Sequence, residues 1–363
     1  MPSYSEFRTF RFLILFCGCM LTFGSFFSFD MPSTIQTELQ ELPVDCDENG
    51  SFLDVDNATS EFNVTCCTGC LGLGPLHYNL LFALYAWTAS INVLIAGVLV
   101  DKLGTKFGAV LYGSLSLSGS LIFALSIVKG LRNTEYMFPM LMIGRFLLGS
   151  GNSGMRIVQD RVTAFWFRHK ELSLAFGICL TFSRLGSVFN FLVTSVVVKK
   201  FGLEVLFWAS SVLCCSGFLF VVLMSFLDQY GLKKLNKADK EVRRTLECKD
   251  IRDFSATYWI LTIVTMLSYS TIIPYIADSS KLYQDKYGYN QHIASYIAGA
   301  PYYIALLGAP ILGILVITMW PSVPLLVKPR ALGIAMGILT SFQFIGIGIA
   351  NLVMGKLLNL RGP

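Results

Sequence analysis

Long apolar segments recur along this chain of 363 residues and are separated by short polar stretches. A helix needs about 20 mostly apolar residues to cross the hydrocarbon core of a bilayer. Hydrophobic residues make up 54% of the chain and charged residues only 14%, which is too apolar for a soluble globular protein. We therefore predict an all-α integral membrane protein, with spans near Phe10–Phe29, Tyr78–Val100, Phe107–Val128, Tyr136–Val158, Leu172–Val198, Leu203–Leu227, Tyr258–Ala277 and Leu332–Leu358.

The charges between the spans predict the orientation, because Lys and Arg are retained on the cytoplasmic side. Basic residues follow the second, fourth and sixth spans, whereas the segment 30–76 contains neither Lys nor Arg. That segment carries three glycosylation sequons, which are modified only in the secretory lumen. We predict a glycosylated lumenal loop over 30–76, with acceptors Asn49, Asn57 and Asn63.

Four of the ten cysteines fall in the same predicted loop, at Cys46, Cys66, Cys67 and Cys70. The oxidising lumen favours disulfides, so we expect at least one among them. The sequence "CCTGC" lacks the second ligand pair that a structural zinc site needs, and we expect no metal there.

The remaining apolar tract, Ile293–Val327, is too long for one ordinary crossing and is interrupted by four prolines. Two crossings would place Lys328 and Arg330 on the lumenal side, against the charge rule. A single crossing with kinked or surface-lying ends gives about nine spans and a lumenal carboxyl terminus. The first span is too long for the apolar region of a signal peptide, so we expect it to be retained.

Six spans, a polar segment and further spans form the layout of transporters built from two six-helix halves. We predict an N-terminal six-helix bundle over 1–227, a cytoplasmic linker over 228–254 and a shortened C-terminal bundle over 255–363.

The loop between the second and third spans, "GVLVDKLGTKFG", resembles a signature of the major facilitator superfamily. Gly97 and Gly104 would permit close helix approach and an abrupt turn. Asp101, between basic Lys102 and Lys106, could face a helix amino terminus or an arginine and latch the cytoplasmic side; a basic retention loop is the simpler alternative. "GRFLLGSG" matches a second pattern and puts Arg145 inside the membrane, where it would face a partner or a cavity unless it snorkels to the surface.

Several further segments resemble the domain-containing protein 1 branch of that superfamily, among them "FGSFFSFDMPSTIQ", "WFRHKELSLAFGICLTFSRLGSVFN" and "ALGIAMGILTSFQFIGIGIANLVMGKLLNLRG". The resemblance implies a lysosomal exporter of dipeptides that associates with a glycosylated accessory membrane protein. It also implies that a stretch between "GAPILGILV" and "ITMWPSV", and a final helix, are missing, which leaves an incomplete fold of about nine helices instead of twelve.

The same resemblance assigns the substrate site. It implies that Arg184 contacts the substrate, with Lys281 beyond span seven as a second cation, and that the acidic partner on span four is replaced by Ser153. Each assignment has an alternative, a structural arginine for Arg184 and an interfacial anchor for Lys281. Cavity-lining aromatic side chains are implied at Tyr85, Trp87, Tyr269 and Trp320; taken one at a time, each is better explained as a packing residue.

A dipeptide presents a carboxylate and an ammonium, and each needs an opposite charge in a low-dielectric cavity. Arg184 could hold the carboxylate through two parallel bonds. We hypothesise that Asp278 supplies the negative charge missing at Ser153; it could instead pair with Lys281 and neutralise it.

These features favour a carrier of small zwitterionic solutes over an enzyme, since the chain has no phosphate-binding loop, metal cluster or nucleophile elbow. No cofactor is expected, and the partners are the bilayer and the solute. A non-transporting, truncated or accessory membrane protein is the alternative. The resemblance favours the lysosomal membrane, with plasma membrane and endoplasmic reticulum left open. Proton coupling is left open; spans four and five, as predicted, contain no acidic residue.

Overall fold

The computed structural model describes residues 4–42, 69–132, 134–167, 171–234, 254–306, 326–327 and 332–360. Regular secondary structure in these ranges is helical, as predicted. The helices are α1 (Tyr4–Thr34), α2 (Gln36–Gln40), α3 (Gly74–Leu103), α4 (Thr105–Leu125), α5 (Met137–Trp166), α6 (Leu172–Phe201), α7 (Leu203–Lys234), α8 (Ala256–Tyr287), α9 (Gln291–Ala298) and α10 (Leu332–Leu360).

Seven of these helices are long and apolar enough to cross a membrane, namely α1, α3, α4, α6, α7, α8 and α10. Helix α5 has 30 residues and corresponds to the predicted fourth span, but it is more polar than the others. The apolar tract after Ile293 begins in α9 and continues as helix over 300–306; residues 307–325 lie outside the described ranges. The prediction of a multi-pass helical protein is confirmed, and the ninth crossing stays a prediction.

Glycines set the distance between α4 and α5 in the first half. A Cβ atom on Gly119 would lie 2.7 Å from the backbone nitrogen of Leu148, and one on Gly151 would overlap the backbone of Ser116. In a bilayer, such small residues let helix backbones approach and gain van der Waals contact. The two helices therefore pack closely within the N-terminal bundle.

The turn between α3 and α4 is made by Gly104, whose φ of 89° is a conformation that suits glycine. The Thr105 hydroxyl donates to Asp228 at 3.3 Å, and the indole nitrogen of Trp166 donates to the same carboxylate at 2.8 Å. Asp228 was predicted to begin the linker, but it is a buried residue inside α7. Its hydrogen bonds connect the turn between α3 and α4, and helix α5, to α7. Because the buried carboxylate has these partners, α7 can continue through a charged residue.

The lumenal end of α1 also extends beyond the predicted span, because the helix continues through Asp30 to Thr34 and is followed by α2. Backbone hydrogen bonds tie α2 to the chain just before α3, as in Leu71 N to Glu38 O at 2.8 Å. The ordered bundle therefore includes the first residues of the predicted lumenal loop.

The second half packs on the first mainly through α10, which runs antiparallel to α3. The indole of Trp87 lies directly on Gly348, and the Ser90 hydroxyl is 2.8 Å from that of Ser341. Nearer the lumenal end, Gly355 packs on the side chain of Asn79. The two halves are thus in contact along most of the length of these helices.

Candidate functional site

The centre of the candidate site is a carboxylate on α1, that of Asp30, which faces the second half. The side chain is 2% exposed, and its Oδ1 accepts a hydrogen bond from the Tyr302 hydroxyl at 2.8 Å. The sequence interval between the two residues is 272, so this bond joins the two halves of the chain. The other carboxylate oxygen, Oδ2, has no hydrogen-bond partner among the described residues.

Arg184, on α6, approaches the same tyrosine from the first half. Its guanidinium carbon is 5.5 Å from the centre of the Tyr302 ring, a cation–π distance, and it interacts electrostatically with Asp30. The side chain is half-buried, and it makes no hydrogen bond or ion pair within the described part of the chain. The structure therefore brings an available guanidinium and a carboxylate to one place between the halves.

Arg145 lies behind Asp30, inside the first half. It is fully buried, donates to the backbone oxygen of Phe29 at 3.2 Å and lies over the rings of Phe82 and Phe123 at 5.4 and 4.9 Å. These contacts place it within the bundle and leave no room for the surface-snorkelling alternative. The guanidinium supports the end of α1 that carries Asp30.

Ser153, the neutral replacement on α5, bonds to its own helix. Its hydroxyl donates to Gly149 O at 2.8 Å and accepts from the Asn92 amide at 3.0 Å. One residue earlier, the amide of Asn152 donates to the Tyr85 hydroxyl at 2.7 Å, and Tyr85 packs on Phe29 with ring centroids 4.6 Å apart. Tyr85 is therefore close to the Asp30 end of α1.

The predicted fourth span, Tyr136–Val158, contains no acidic residue, but α5 continues past Val158 and includes Asp160. Asp160 interacts electrostatically with Arg156, one turn earlier on the same helix.

Lys281 and Asp278 belong to a different cluster, at the lumenal end of α8. Lys281 Nζ is 3.7 Å from Glu41; it also interacts electrostatically with Asp278, although the two do not come within ion-pair distance in the described ranges. Asp278 Oδ1 instead accepts from the amides of Gln36 at 2.7 Å and Asn79 at 3.3 Å, both in the first half. The hypothesis that Asp278 supplies the negative charge missing at Ser153 gains no support from these contacts, since the carboxylate that interacts with Arg184 is Asp30.

Further contacts in the same region join the end of α1 and α2 to α8 and α9. The Gln291 amide donates to Glu38, the Thr37 hydroxyl donates to Gln284 at 3.2 Å, and the Ser295 hydroxyl donates to Thr34 O at 3.0 Å. We call this cluster the lumenal seal; its members are Thr34, Gln36, Thr37, Glu38, Glu41, Asn79, Asp278, Lys281, Gln284, Gln291 and Ser295. Because its bonds connect the two halves, the described structure is closed at this end, which the charge rule predicts to be the lumenal one.

The other predicted cavity-lining aromatic residues are Trp87, Tyr269 and Trp320. Trp87 is half-buried against α10, and Tyr269 packs beside Ile273 and Ile347 at the contact of α8 with α10. Trp320 lies outside the described residues. Trp87 and Tyr269 therefore lie where the two halves meet. Tyr269 also interacts electrostatically with Tyr302, the partner of Asp30.

The structure describes most residues of the predicted signature loop between α3 and α4. Lys106 donates to Gln229 at 3.2 Å and lies over the ring of Phe226 at 5.5 Å, whereas Lys102 is exposed. A Cβ on Gly97 would meet no described atom within 4 Å, so close packing at this glycine is not seen. The side chain of Asp101 is outside the described residues, and the predicted latch stays untested.

The lumenal predictions fall mostly on residues 43–68, which the structure does not describe. Asn49, Asn57, Asn63, Cys46, Cys66 and Cys67 are among them. Cys70 is disulfide-bonded, and Cys17, Cys19, Cys179, Cys214 and Cys215 are free. The described residues contain no group of three or more His, Cys, Asp or Glu side chains that could hold a metal ion.

Sequence reasoning missed Asp30 and Tyr302. Asp30 was taken as the first residue of the lumenal loop, because it ends an apolar run. Tyr302 lies in the proline-interrupted apolar tract, where no alternation of polar and apolar residues indicated which face of a helix packs on the first half. The available signal was the position of Asp30 directly after Phe29, the last residue of the aromatic run. A helix can extend past a predicted boundary when the polar residue that follows finds a hydrogen-bond partner.

A bundle of long apolar helices in two packed halves, with charged groups between them, defines a class of membrane transporter. The Major Facilitator Superfamily model matches residues 12–327, and the chain belongs to this superfamily.

Among curated proteins, the chain is similar to the lysosomal dipeptide transporter MFSD1 of Homo sapiens, with 24% identity, and to that of Danio rerio, with 25%. Both alignments cover 97% of this chain and 81% of the relative, so this chain is the shorter one.

The fold is also similar to solved structures. A crystal structure of the peptide transporter POT in complex with sulfate has a TM-score of 0.59 and 13% identity, and covers 95% of this chain and 88% of its own. A mutant of that transporter, also with sulfate, has a TM-score of 0.60. At this identity the likeness concerns the fold alone.

Proposed function

We propose that this protein moves small zwitterionic solutes, most directly dipeptides, across the lysosomal membrane by alternating access between its two halves. The observation that carries the proposal is the half-buried Arg184 guanidinium at the contact between the halves, which makes no hydrogen bond or ion pair among the described residues. Within a membrane protein, an arginine in such a position marks a substrate pathway by default.

The chemistry of Arg184 suits a carboxylate. A guanidinium presents donors in a planar fork that matches a carboxylate through two parallel bonds. Its present contact is with the ring of Tyr302, from the second half. A ligand bound to Arg184 therefore has different contacts before and after the second half moves. Such a difference is required if substrate binding is to shift the equilibrium between the two conformations.

The contact pattern supports a cycle in which the lumenal end opens and closes. Hydrogen bonds of the lumenal seal join α1, α2 and α3 to α8 and α9, and each is broken if the halves part at that end. We propose that Lys281, held by Glu41, belongs to this gate, and that Tyr85, Trp87 and Tyr269 line the path beside Arg184.

The relatives support the substrate class and the compartment, since those matched here are named as lysosomal dipeptide transporters. They are transporters and not enzymes, which agrees with a non-enzymatic function. Association with a glycosylated accessory membrane protein is part of the proposal, and co-purification from lysosomal membranes would test it.

The test is uptake of a radiolabelled dipeptide by proteoliposomes that contain the full chain. We expect saturable uptake that unlabelled dipeptide competes away. Arg184→Gln should raise KM by about 10- to 100-fold, since a hydrogen bond to a charged group contributes about 1.5–3 kcal/mol. Arg184→Lys should restore part of the affinity, because it keeps the charge and loses the fork.

The rival function, a non-transporting membrane protein, makes the opposite prediction. It is favoured by one observation: the chain spans 81% of the length of the relatives that it matches. A version lengthened with the segment that the relatives possess serves as the reference. Flux in the lengthened version alone would refute the carrier proposal for this chain.

A further inference from the structure

We propose that Asp30 binds the ammonium group of the substrate, and that the ammonium replaces the Tyr302 hydroxyl as its partner. This inference rests on the proposed function and deepens it, because it assigns the second half of a zwitterion site whose carboxylate subsite is Arg184.

The first support is the unmet bonding capacity of Asp30. The side chain is buried, and its Oδ1 accepts a hydrogen bond from the Tyr302 hydroxyl. The Ser187 hydroxyl interacts with the same carboxylate, but it does not form a hydrogen bond of normal geometry in the described, closed arrangement. Oδ2 has no partner, although a buried carboxylate normally has its oxygens hydrogen-bonded. The described ion pairs, Arg11 with Glu171 and Lys281 with Glu41, do not include Asp30. An ammonium has three donors and a full charge, which matches what the carboxylate lacks.

The second support is the neighbourhood of Asp30. Arg184 and Arg145 both interact with it electrostatically. Arg145 is fully buried inside the first half, where it donates to Phe29 O and lies over two aromatic rings, although two of its guanidinium nitrogens have no hydrogen-bond partner among the described residues. Arg184 is half-buried beside Tyr302, at the contact between the halves, and is not hydrogen-bonded in the described ranges. Arg184 is therefore the cation available to the substrate carboxylate, and the adjacent Oδ2 is available to the ammonium. Opposite charges on neighbouring helices fit the two ends of one small zwitterion.

The other candidate carboxylates are engaged or placed elsewhere. Asp278 accepts two amide hydrogen bonds in the lumenal seal, and Asp160 interacts with Arg156 on its own helix. Ser153 is neutral and bonds to its own backbone. Of these groups, Asp30 alone combines the negative charge, the free oxygen and the proximity to Arg184.

The exchange of partners has a mechanical consequence. Tyr302 belongs to the second half and Asp30 to the first, so an ammonium that displaces the hydroxyl removes one bond that holds the halves together. Substrate binding would thereby lower the free energy of separating the halves at this level. A ligand shifts such an equilibrium only through contacts that differ between the two states, and this exchange is one.

The experiment compares a dipeptide with its N-acetylated form, which keeps the carboxylate and lacks the ammonium, in the proteoliposome uptake assay. The wild-type chain should favour the free dipeptide by about 10- to 100-fold in KM, from the strength of a charge-assisted hydrogen bond. Asp30→Asn should abolish this preference by weakening uptake of the free dipeptide. Asp278→Asn is the matched variant: it makes the same isosteric change in the lumenal seal and should alter the rate while keeping the preference.

Tyr302→Phe separates binding from support of the fold. It removes the competing hydroxyl and keeps the ring beside Arg184, so KM for the free dipeptide should fall, opposite to the effect of Asp30→Asn. A lower yield of folded protein in both variants would not reproduce these opposite shifts.

Each contrary result overturns the assignment. Retained preference in Asp30→Asn, loss of preference in Asp278→Asn, or changes of KM in the same direction for Asp30→Asn and Tyr302→Phe would each do so. An effect of Asp30→Asn on the pH dependence of uptake alone would make Asp30 a proton site and also refute it. If the wild-type chain shows no uptake of either compound, the proposed function itself fails, which is a distinguishable result.

Discussion

Replacing Tyr78 with phenylalanine removes one hydrogen bond that closes the lumenal end and leaves the packing unchanged. The side chain is fully buried in α3, and its hydroxyl donates to the backbone oxygen of Ala277 in α8 at 2.6 Å. A second acceptor, Pro32 O, lies 3.4 Å away in the same half as Tyr78. The substitution therefore changes a bond between the halves.

The size of the expected change in the open population depends on the two acceptors of the Tyr78 hydroxyl. A neutral hydrogen bond contributes about 0.5–1.5 kcal/mol net, or about 2- to 12-fold in an equilibrium constant. When the halves part, Pro32 O can still accept from the hydroxyl, so the wild-type protein recovers part of the lost bond. We expect Tyr78→Phe to increase the population of the lumen-open state by about 2- to 5-fold, the lower part of that range.

Hydrogen–deuterium exchange of the full chain in lipid nanodiscs measures this population. The amides of α2 and α9 lie in the lumenal seal, and their exchange rates scale with the fraction of open molecules. We expect both segments to exchange about 2- to 5-fold faster in Tyr78→Phe.

Tyr112→Phe is the matched control for this measurement. Tyr112 is a buried tyrosine that packs on Gly154 within the first half, and no hydrogen bond of its hydroxyl is found in the described ranges. Equal acceleration in both variants, or none in Tyr78→Phe, would refute the role of this bond in closure.

Two further predictions concern the packing of the bundle and the pH dependence of the seal. Gly151→Ala should lower the unfolding temperature in detergent, because the added Cβ overlaps the backbone of Ser116 and overpacking costs about 1–3 kcal/mol. Gly177→Ala is the control and should be tolerated, since no described atom lies within 4 Å of the added Cβ. Equal loss of stability in the two variants would contradict the close crossing of α4 and α5. Burial raises the pKa of Glu38 in the closed seal, although the Gln291 amide partly opposes the shift. The closed state therefore favours the protonated form of Glu38. This preference stabilises closure fully when the pH is below the ordinary glutamate pKa of about 4.3, and the stabilisation is lost as the pH rises through the raised pKa of the closed state. Exchange in α9, corrected for its intrinsic pH dependence, should show this trend in the wild-type chain, and the trend should be absent in Glu38→Gln.

The sequence was sufficient to predict the helical membrane fold, because the predicted spans depend on composition over about 20 residues, a signal that one polar residue does not hide. Helix ends were less accessible. Asp30 and Asp228 were both read as the first residues of polar loops, yet each lies inside a helix. Each carboxylate accepts a hydrogen bond from a distant residue, Tyr302 in one case and Trp166 in the other. Local composition carries no information about such partners.

The candidate site was predictable in part for the same reason. Arg184 stood out as a charged residue within an apolar run, which is costly without a function. Its neighbours did not stand out, since the contact between Asp30 and Tyr302 depends on how the two halves pack. Asp278 was favoured by its three-residue spacing from Lys281, but Lys281 pairs with Glu41 from α1–α2. Spacing along one helix predicts which residues share a face, and not which element lies opposite.

The central claim is that Arg184 binds the carboxylate of a substrate between the two halves. The most direct measurement is equilibrium binding of a dipeptide and of its carboxy-terminal amide to the purified full chain. We expect the wild-type protein to bind the free acid about 10- to 100-fold more tightly than the amide. Arg184→Gln should bind both weakly and equally. Equal affinity of the wild-type protein for the two compounds, or an undiminished preference in Arg184→Gln, would contradict the claim.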